Sequence, residues 1–156
     1  MGFVNLHPSF LPYNRGKHPY YWSIVDNTPA GVTIHFITDK IDDGGILFQR
    51  RIKTDITTTA TELYSKSIEE IISLFKENYV QMLDGHFKIQ KQDEEQSTFH
   101  WGKEIKSHSK IKLDQEYKAL DLLNIIRARN FPGNPSSFFH LNGKKYYVNI
   151  KITEAD

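Results

Sequence analysis

The stretch VNLHPSFLPYNRGKHPYYW, residues 4–22, holds the densest group of polar and aromatic side chains in the chain. Asn5 and His7 are two residues apart, so on an extended strand both side chains point to the same face. Two prolines and an Arg-Gly pair punctuate the segment that follows, which is typical of a loop. The stretch therefore predicts a strand that ends in an active-site loop.

The composition is that of a soluble globular protein. The chain has 156 residues, 38% hydrophobic and 25% charged, which is enough for one domain or one domain with a small appendage. A net charge of +1 gives no electrostatic reason to expect a nucleic-acid or membrane partner. There is no cysteine, no apolar run of bilayer length and no signal peptide, so we expect a cytoplasmic protein.

The first part of the chain alternates between strand and helix patterns. We predict strands over 2–6, 31–38 and 46–53 and a helix with Pro19 in its first turn. The strand over 2–6 is almost entirely apolar, which predicts burial on both faces. A long helix over 59–83 follows; Thr59 and Glu62 form a capping box, and apolar residues recur at helical spacing from Tyr64 to Met82. This order predicts an α/β core over residues 1–92.

The remaining residues, 93–156, predict a smaller α+β appendage. Residues 88–112 are polar and poorly periodic, which favours short strands or an extended connector. A second helix over 116–129 follows a potential cap at Asp114. The Asn142-Gly143 pair between two apolar runs predicts a β-hairpin.

Three polar residues lie where predicted strands meet loops. Asn5 can donate an amide N–H to a developing oxyanion, and His7 can move a proton near neutral pH. Asp42, in the loop after the strand over 31–38, can orient that histidine or hold a water. Together they would suit acyl transfer to a nucleophile that the substrate supplies, if the loops at the strand ends converge. Taken alone, Asn-x-His is also a common structural pattern, and Asp42 can simply form a turn.

The other histidines do not predict a metal site. His35 alternates within a strand, which indicates a packed or edge histidine rather than a ligand. The seven histidines show no tight ligand spacing with acidic partners, so we expect no metal.

The linear order of these motifs resembles the signature of the folate-dependent formyltransferase family. NLHPSFLPYNRGKHPYYWSI followed by AGVTIHFITDKIDDGGILFQ matches the family pattern Asn-x-His-Pro-Ser-x-Leu-Pro, Arg-Gly, Gly-Val-Thr-x-His and a loop ending Asp-x-Gly. The agreement covers residues 4–49. The resemblance implies the C-terminal portion of a Rossmann-like formyltransferase core, followed by a small α+β tail with a β-hairpin.

The resemblance also implies roles for individual residues. Asn5, His7 and Asp42 would be the catalytic trio, the donor would be N10-formyltetrahydrofolate and the acceptor a primary amine. The pterin head would lie against the loop that contains Thr38, Asp39, Lys40 and Ile41, largely through backbone groups. The loop on the acceptor side, where a phosphate-bearing substrate is expected, would contribute Ser9, Arg15 and Gly16.

The tail narrows the resemblance to a subfamily. Residues 119–148, with their Arg-Ala…Phe-Pro segment, resemble the compact tail of bacterial nucleotide-sugar N-formyltransferases. This implies a dTDP-linked 4-amino-4,6-dideoxyhexose as acceptor, a homodimer formed through the tail, and a role in O-antigen or lipopolysaccharide biosynthesis.

The family normally carries a Rossmann-like half before the Asn-x-His strand, and that half is missing from this sequence. We therefore expect weak or no activity from this chain alone, and an apolar edge strand that favours association. Two alternatives are a non-catalytic assembly module and a methionyl-tRNA formyltransferase; the near-neutral charge speaks against the latter. A hydrolase that deformylates the same folate would share the trio.

Overall fold

Seven strands and four helices succeed one another in this computed structural model, which describes residues 2–133 and 135–155. The strands are β1 (Val4–His7), β2 (Arg15–Gly16), β3 (Gly31–Phe36), β4 (Ile46–Arg51), β5 (Phe99–His100), β6 (Ser137–Leu141) and β7 (Lys144–Val148). The helices are α1 (Pro19–Val25), α2 (Ala60–Leu83), α3 (Glu104–His108) and α4 (Ala119–Arg127). The prediction of an α/β core followed by a β-hairpin is confirmed.

The central sheet has the order β1-β3-β4, and both strand pairs are antiparallel. Asn5 lies opposite His35, and His7 lies opposite Thr33. Helix α2 packs on this sheet and α1 packs against α2, around a core that includes Tyr21 and Val32, both completely buried. Because the strands are antiparallel, their carboxyl ends do not share one edge. Asn5 and His7 lie on β1 itself, so the loop after β3, which carries Asp42, must fold back over the sheet to meet them.

The prediction that the first strand is buried on both faces is wrong. Leu6 is 39% exposed and Phe3, just before β1, is 83% exposed. The reason is the position of β1, which is an edge strand paired with β3 alone among the described strands. The expected apolar edge is therefore present. Val4 packs against the hydrophobic core, and the polar side chains of Asn5 and His7 take the opposite face of β1.

Helix α2 begins as its sequence predicts. The Thr59 side chain accepts a hydrogen bond from the Glu62 N–H at 3.3 Å, and the Glu62 carboxylate accepts one from the Thr59 N–H at 2.8 Å. Only part of the apolar stripe that the spacing indicates faces inward: Ile71 is buried, and Phe75 and Met82 pack against the core. The buried row is Ala60, Leu63, Ser67, Ile71 and Leu74, whereas Tyr64, Ile68, Ile72 and Tyr79 are exposed.

The second part of the chain departs from the sequence prediction in two places. Helix α3 was not expected within the polar segment, because five residues with alternating charge carry no helical periodicity. Helix α4 begins after Lys118 with no side-chain cap, so the predicted cap at Asp114 is wrong. The short strand β5 is of the expected kind and pairs in parallel with β2.

The β6–β7 hairpin turns at Asn142 and Gly143, as predicted. Their φ angles are 50° and 75°, the pair of positive values that a two-residue type I′ turn requires. The hairpin is joined to α4 by the buried Ser137 hydroxyl, which donates to the Ile125 carbonyl at 2.9 Å. Among the described residues, no helix combines the length and the apolar character needed to cross a bilayer.

Candidate active site

Asp42 is the point at which three separate segments meet. Its backbone has a φ of 52°, which turns the loop after β3 back towards β1 and β2. One carboxylate oxygen accepts from the Gly16 N–H at 2.9 Å and lies 3.5 Å from His7 Nδ1. The other accepts from the Asn5 amide nitrogen at 3.2 Å. The structure thus brings together Asn5, His7 and Asp42, which the sequence places up to 37 positions apart.

His35 completes this group, and the sequence analysis did not assign it to the site. Its Nδ1 lies 2.8 Å from the Phe36 carbonyl, an acceptor, so Nδ1 carries the proton. Its Nε2 lies 3.4 Å from the Asn5 amide nitrogen and 3.5 Å from an oxygen of the Asp42 carboxylate. His35 therefore packs against the hydrogen-bonded pair of Asn5 and Asp42. The period-two spacing of Thr33 and His35, on the face that meets Asn5, was the signal that could have found it.

Burial sets the protonation of His7. Loss of solvent lowers the pKa of the imidazole below 6.5, and the nearby Asp42 carboxylate opposes this only in part. Acceptors flank both ring nitrogens, since the Asn14 carbonyl lies 3.4 Å from Nε2 and Asp42 lies 3.5 Å from Nδ1. The ring is therefore neutral at pH 7 and has a place for a proton on either nitrogen, which is what a group that receives and returns a proton needs.

Asp42 remains ionised throughout the physiological range. Burial on its own would raise the pKa of this carboxyl group. The His35 ring, the His7 ring and the Gly16 N–H outweigh that effect and bring the pKa down to about 2. A fixed negative charge beside a neutral imidazole favours transfer of a proton onto that imidazole.

These pKa shifts predict a loss of stability in acid. A group whose pKa is lowered on folding stabilises the protein above its unfolded pKa and ceases to do so as the pH falls through its folded pKa. The free energy of unfolding should therefore decrease below pH 6.5 as His7 is protonated, and decrease again below 3.8 as Asp42 is protonated. Burial also lowers the pKa of His18 and His108, and both therefore contribute to the loss of stability below pH 6.5.

Urea unfolding between pH 7 and pH 5 measures the His7 contribution. His7→Gln should flatten the decrease, whereas the same change at the exposed His86 should leave it as in the parent chain. Equal pH slopes in the parent chain and in His7→Gln would contradict a buried, neutral His7.

The loop assigned to the folate lies exposed beside the trio. Thr38, Asp39, Lys40 and Ile41 are all exposed, and the Thr38 hydroxyl donates to the Lys40 carbonyl at 3.2 Å. Gln92, which the sequence analysis did not single out, holds the end of this loop. Its amide donates to the carbonyls of Asp42 and Gly44 at 2.9 and 2.8 Å. The contact spans 50 positions of sequence, which is why no local pattern indicates it.

Two of the residues that the resemblance places at the acceptor make hydrogen bonds or ion pairs within the protein. The buried Ser9 hydroxyl donates to the Tyr13 carbonyl at 2.6 Å. The Arg15 guanidinium donates to Gln92 at 2.8 Å and lies 2.9 and 3.0 Å from the carboxylates of Asp43 and Glu94. Two carboxylates already neutralise its charge. The assignment of Ser9 and Arg15 to the acceptor stays a prediction, and the contacts described here give both residues a structural role.

Gly16, the third of these residues, lies where a side chain does not fit. Its φ is 94°, and a Cβ atom there would stand 2.4 Å from the His100 carbonyl oxygen. Its N–H also binds Asp42. The Arg-Gly pair is therefore required for the close approach of β2 to β5, and it fixes one wall of the site.

Gly16→Ala should destabilise the protein by about 2–4 kcal/mol, since it adds a steric overlap to the cost of a positive φ. Gly85→Ala is the matched control, because Gly85 has a φ of 72° and nothing within 4 Å of the added Cβ atom. Its loss should be limited to about 1–2 kcal/mol. Equal losses in urea unfolding would show that the contact with His100 relaxes without cost.

An open cleft of about 500 Å³ lies over the trio. It is lined by Asn5, His7, Asp42 and Ile41 together with Phe99 and Trp101. Within residues 2–133 and 135–155, no group of three His, Cys, Asp or Glu side chains could hold a metal ion. The cleft offers an N–H donor, a neutral imidazole and a fixed carboxylate within reach of one bound group, which suits proton transfer during addition to a carbonyl.

The sequence matches two families of known proteins. Residues 1–77 match the family described as formyl transferase, and residues 104–154 match the N-formyltransferase dimerization C-terminal domain. Among curated relatives, a dTDP-4-amino-4,6-dideoxyglucose formyltransferase from Mycobacterium tuberculosis is 28% identical over 96% of this chain and 64% of its own length. A GDP-perosamine N-formyltransferase from Brucella melitensis is 30% identical over 94% of this chain and 55% of its own length.

Solved structures show the same fold. A 4-N formyltransferase from Francisella tularensis has a TM-score of 0.91 and 26% identity, over 99% of this chain and 64% of its own. An N-formyltransferase from Helicobacter canadensis, in complex with folinic acid and dTDP-3-aminofucose, has a TM-score of 0.75 and 26% identity, over 92% of this chain and 52% of its own. The chain thus spans somewhat more than half of the length of these proteins.

This chain belongs to the formyl transferase family. The two matched regions, the fold and the Asn-x-His and Asp-x-Gly motifs around one cleft agree on this point. The resemblance stated from the sequence is confirmed.

Proposed function

We propose that the protein transfers a formyl group from N10-formyltetrahydrofolate to the amine of a nucleotide-linked amino sugar. The observation that carries the proposal is the convergence of Asn5, His7 and Asp42 at one cleft in a chain of this family. Since the chain spans less than two thirds of the relatives it matches, the activity, the substrates and the assembly all form part of the proposal.

In this mechanism the folate supplies an activated formyl carbon, and the chain supplies the groups that surround it. Asn5 donates an N–H to the formyl oxygen as it gains negative charge on attack by the amine. His7 accepts the proton that the amine loses when the new C–N bond forms, and returns it to N10 as the old C–N bond breaks. Asp42, ionised throughout, stabilises the imidazolium in between.

The site fits a folate in two respects. Ile41 is 52% exposed and lines the cleft next to Asp42. An apolar ring can therefore lie beside the carboxylate. The loop before Ile41 is exposed to solvent at Thr38, Asp39 and Lys40. The backbone of this loop is therefore accessible to a bound pterin. The folinic acid complex of the Helicobacter relative supports the same donor.

The acceptor that we propose is a dTDP-linked 4-amino-4,6-dideoxyhexose. The M. tuberculosis relative supports the dTDP group and the 4-amino position, and the Francisella structure supports the 4-amino position. We also propose that residues 93–156 are an appendage through which two copies associate, because the dimerization family matches 104–154.

The experiment combines this chain with N10-formyltetrahydrofolate and dTDP-4-amino-4,6-dideoxyglucose and follows the acceptor by mass spectrometry. We expect slow formation of a product heavier by one formyl group in place of one hydrogen, in line with the weak activity expected from the sequence. GDP-perosamine and dTDP-3-aminofucose serve as alternative acceptors. Release of formate without a formylated sugar would replace the proposal with a deformylating hydrolase, and calorimetry showing no binding of folinic acid would favour an assembly module.

A further inference from the structure

Two exposed aromatic side chains line the same cleft as the trio. Phe99 is 38% exposed and Trp101 is 55% exposed, and their ring centroids lie 4.8 Å apart at an interplanar angle of 73°. Leaving a tryptophan in water forgoes a large hydrophobic gain. A pair of such rings in an open cleft is therefore a candidate binding surface, and neither the sequence motifs nor the proposed chemistry uses it.

Backbone hydrogen bonds fix the position of the aromatic pair relative to the Asp42 carboxylate. Arg15 N donates to the Thr98 carbonyl at 2.9 Å, and Lys17 N donates to the His100 carbonyl at 3.0 Å. Gly16, between these two bonds, donates its own N–H to Asp42. Phe99 thus lies in β5 and Trp101 directly follows it, and the partner strand β2 is bonded directly to the trio.

Lys17 supplies a positive charge on the same wall. It lines the cleft, and its side chain passes beside Gly102, where an added Cβ atom would lie 3.5 Å from Lys17 Cγ. Lys17 is exposed and forms no ion pair with the described residues, in contrast to Arg15. The free cation of this wall is therefore Lys17, next to the aromatic pair.

We propose that Phe99, Trp101 and Lys17 form the subsite for the nucleoside diphosphate part of the acceptor. The base stacks on the aromatic pair, Lys17 binds a phosphate, and the sugar amine is left to reach the trio across the cleft. Bases stack well on exposed aromatic rings, and a lysine is a common phosphate ligand. This subsite rests on the proposed function, since it takes the acceptor to be a nucleotide-linked sugar.

The intrinsic fluorescence of the protein tests the stacking directly. The chain has two tryptophans, and Trp22 is buried at 4% exposure against the ring of His100. Titration with dTDP should quench the Trp101 component, and Trp101→Leu should abolish the quenching while leaving the Trp22 signal. Inorganic pyrophosphate should cause no quenching, because it lacks the base.

Calorimetry with dTDP then measures how much each of the three side chains contributes to binding. Trp101→Leu and Phe99→Ala should each weaken binding about 10-fold, and Lys17→Gln about 5-fold with a smaller dependence on salt. Tyr79→Ala and Lys66→Gln, exposed on α2, are the matched controls and should bind dTDP as the parent chain does.

The proposal is overturned if dTDP causes no quenching, if Trp101→Leu binds dTDP unchanged, or if folinic acid rather than dTDP quenches Trp101. Its failure is distinguishable from that of the proposed function. Formylation with a KM unaffected by Trp101→Leu removes the subsite alone. Quenching by dTDP, with no formyl transfer to any amino sugar, removes the proposed function and leaves a nucleotide site.

Discussion

Asp42→Asn is expected to lower the turnover number for formyl transfer by about 100- to 10,000-fold, the range typical of removing a group that assists proton transfer. The amide that replaces the carboxylate keeps its size but loses the charge that stabilises a protonated His7. It also replaces one carboxylate oxygen by an NH₂ group, so either the Asn5 amide or the Gly16 N–H would face a donor in place of an acceptor. The measurement is the rate of formylated sugar production at saturating donor and acceptor.

Asp84→Asn is the control for this change, since it removes one carboxylate from the exposed end of α2. It should retain the parent rate. A turnover number for Asp42→Asn within about threefold of the parent would show that the carboxylate plays no part in the transfer. Circular dichroism of both variants separates a loss of chemistry from a loss of fold.

The second large effect concerns Arg127, in the last turn of α4. Its buried guanidinium donates to the Asp55 carbonyl at 3.1 Å, to the Thr58 carbonyl at 2.5 Å and to the Asn124 side chain at 2.8 Å. Burial lowers the pKa of this group, and Asp55 opposes that shift. The side chain therefore joins the second part of the chain to the loop that precedes α2.

Arg127→Met should destabilise the protein by about 3 kcal/mol, because it keeps the apolar stem but removes the donor from the Thr58 carbonyl and from the buried Asn124 side chain, while the Asp55 carbonyl keeps the Thr58 N–H. Urea unfolding measures the loss. Lys106→Met, which removes a charge from the exposed side of α3, should change the free energy of unfolding by less than about 0.5 kcal/mol. Equal free energies for the parent chain and Arg127→Met would mean that water replaces the guanidinium without cost.

Several of the confirmed sequence predictions depend on local signals. The capping box at Thr59 and the Asn142-Gly143 turn each depend on a few adjacent residues, and both are present as expected. Asn5, His7 and Asp42 could be selected because their motifs and linear order resemble a known family. Their convergence could not be derived from a sheet rule, since the sheet is antiparallel and the Asp42 loop folds back over it.

Contacts between distant residues account for most of what was missed. Arg15 has the residue type and loop position of a phosphate ligand, yet Gln92 and Glu94, almost 80 positions away, occupy its guanidinium. Whether a cation is free or paired depends on tertiary structure, and a single sequence does not encode it locally. The edge position of β1 likewise depends on the strand order, which determines whether an apolar segment is covered.

The peptide group of Gly16 links two parts of the cleft mechanically. The Gly16 N–H is hydrogen-bonded to Asp42. The N–H groups of its two neighbours, Arg15 and Lys17, are hydrogen-bonded to the segment that carries Phe99 and Trp101. A displacement of the aromatic wall is therefore transmitted to the carboxylate through a single rigid unit. Binding and chemistry should be inseparable at this point, so that changes which loosen β2 from β5 alter KM and kcat together.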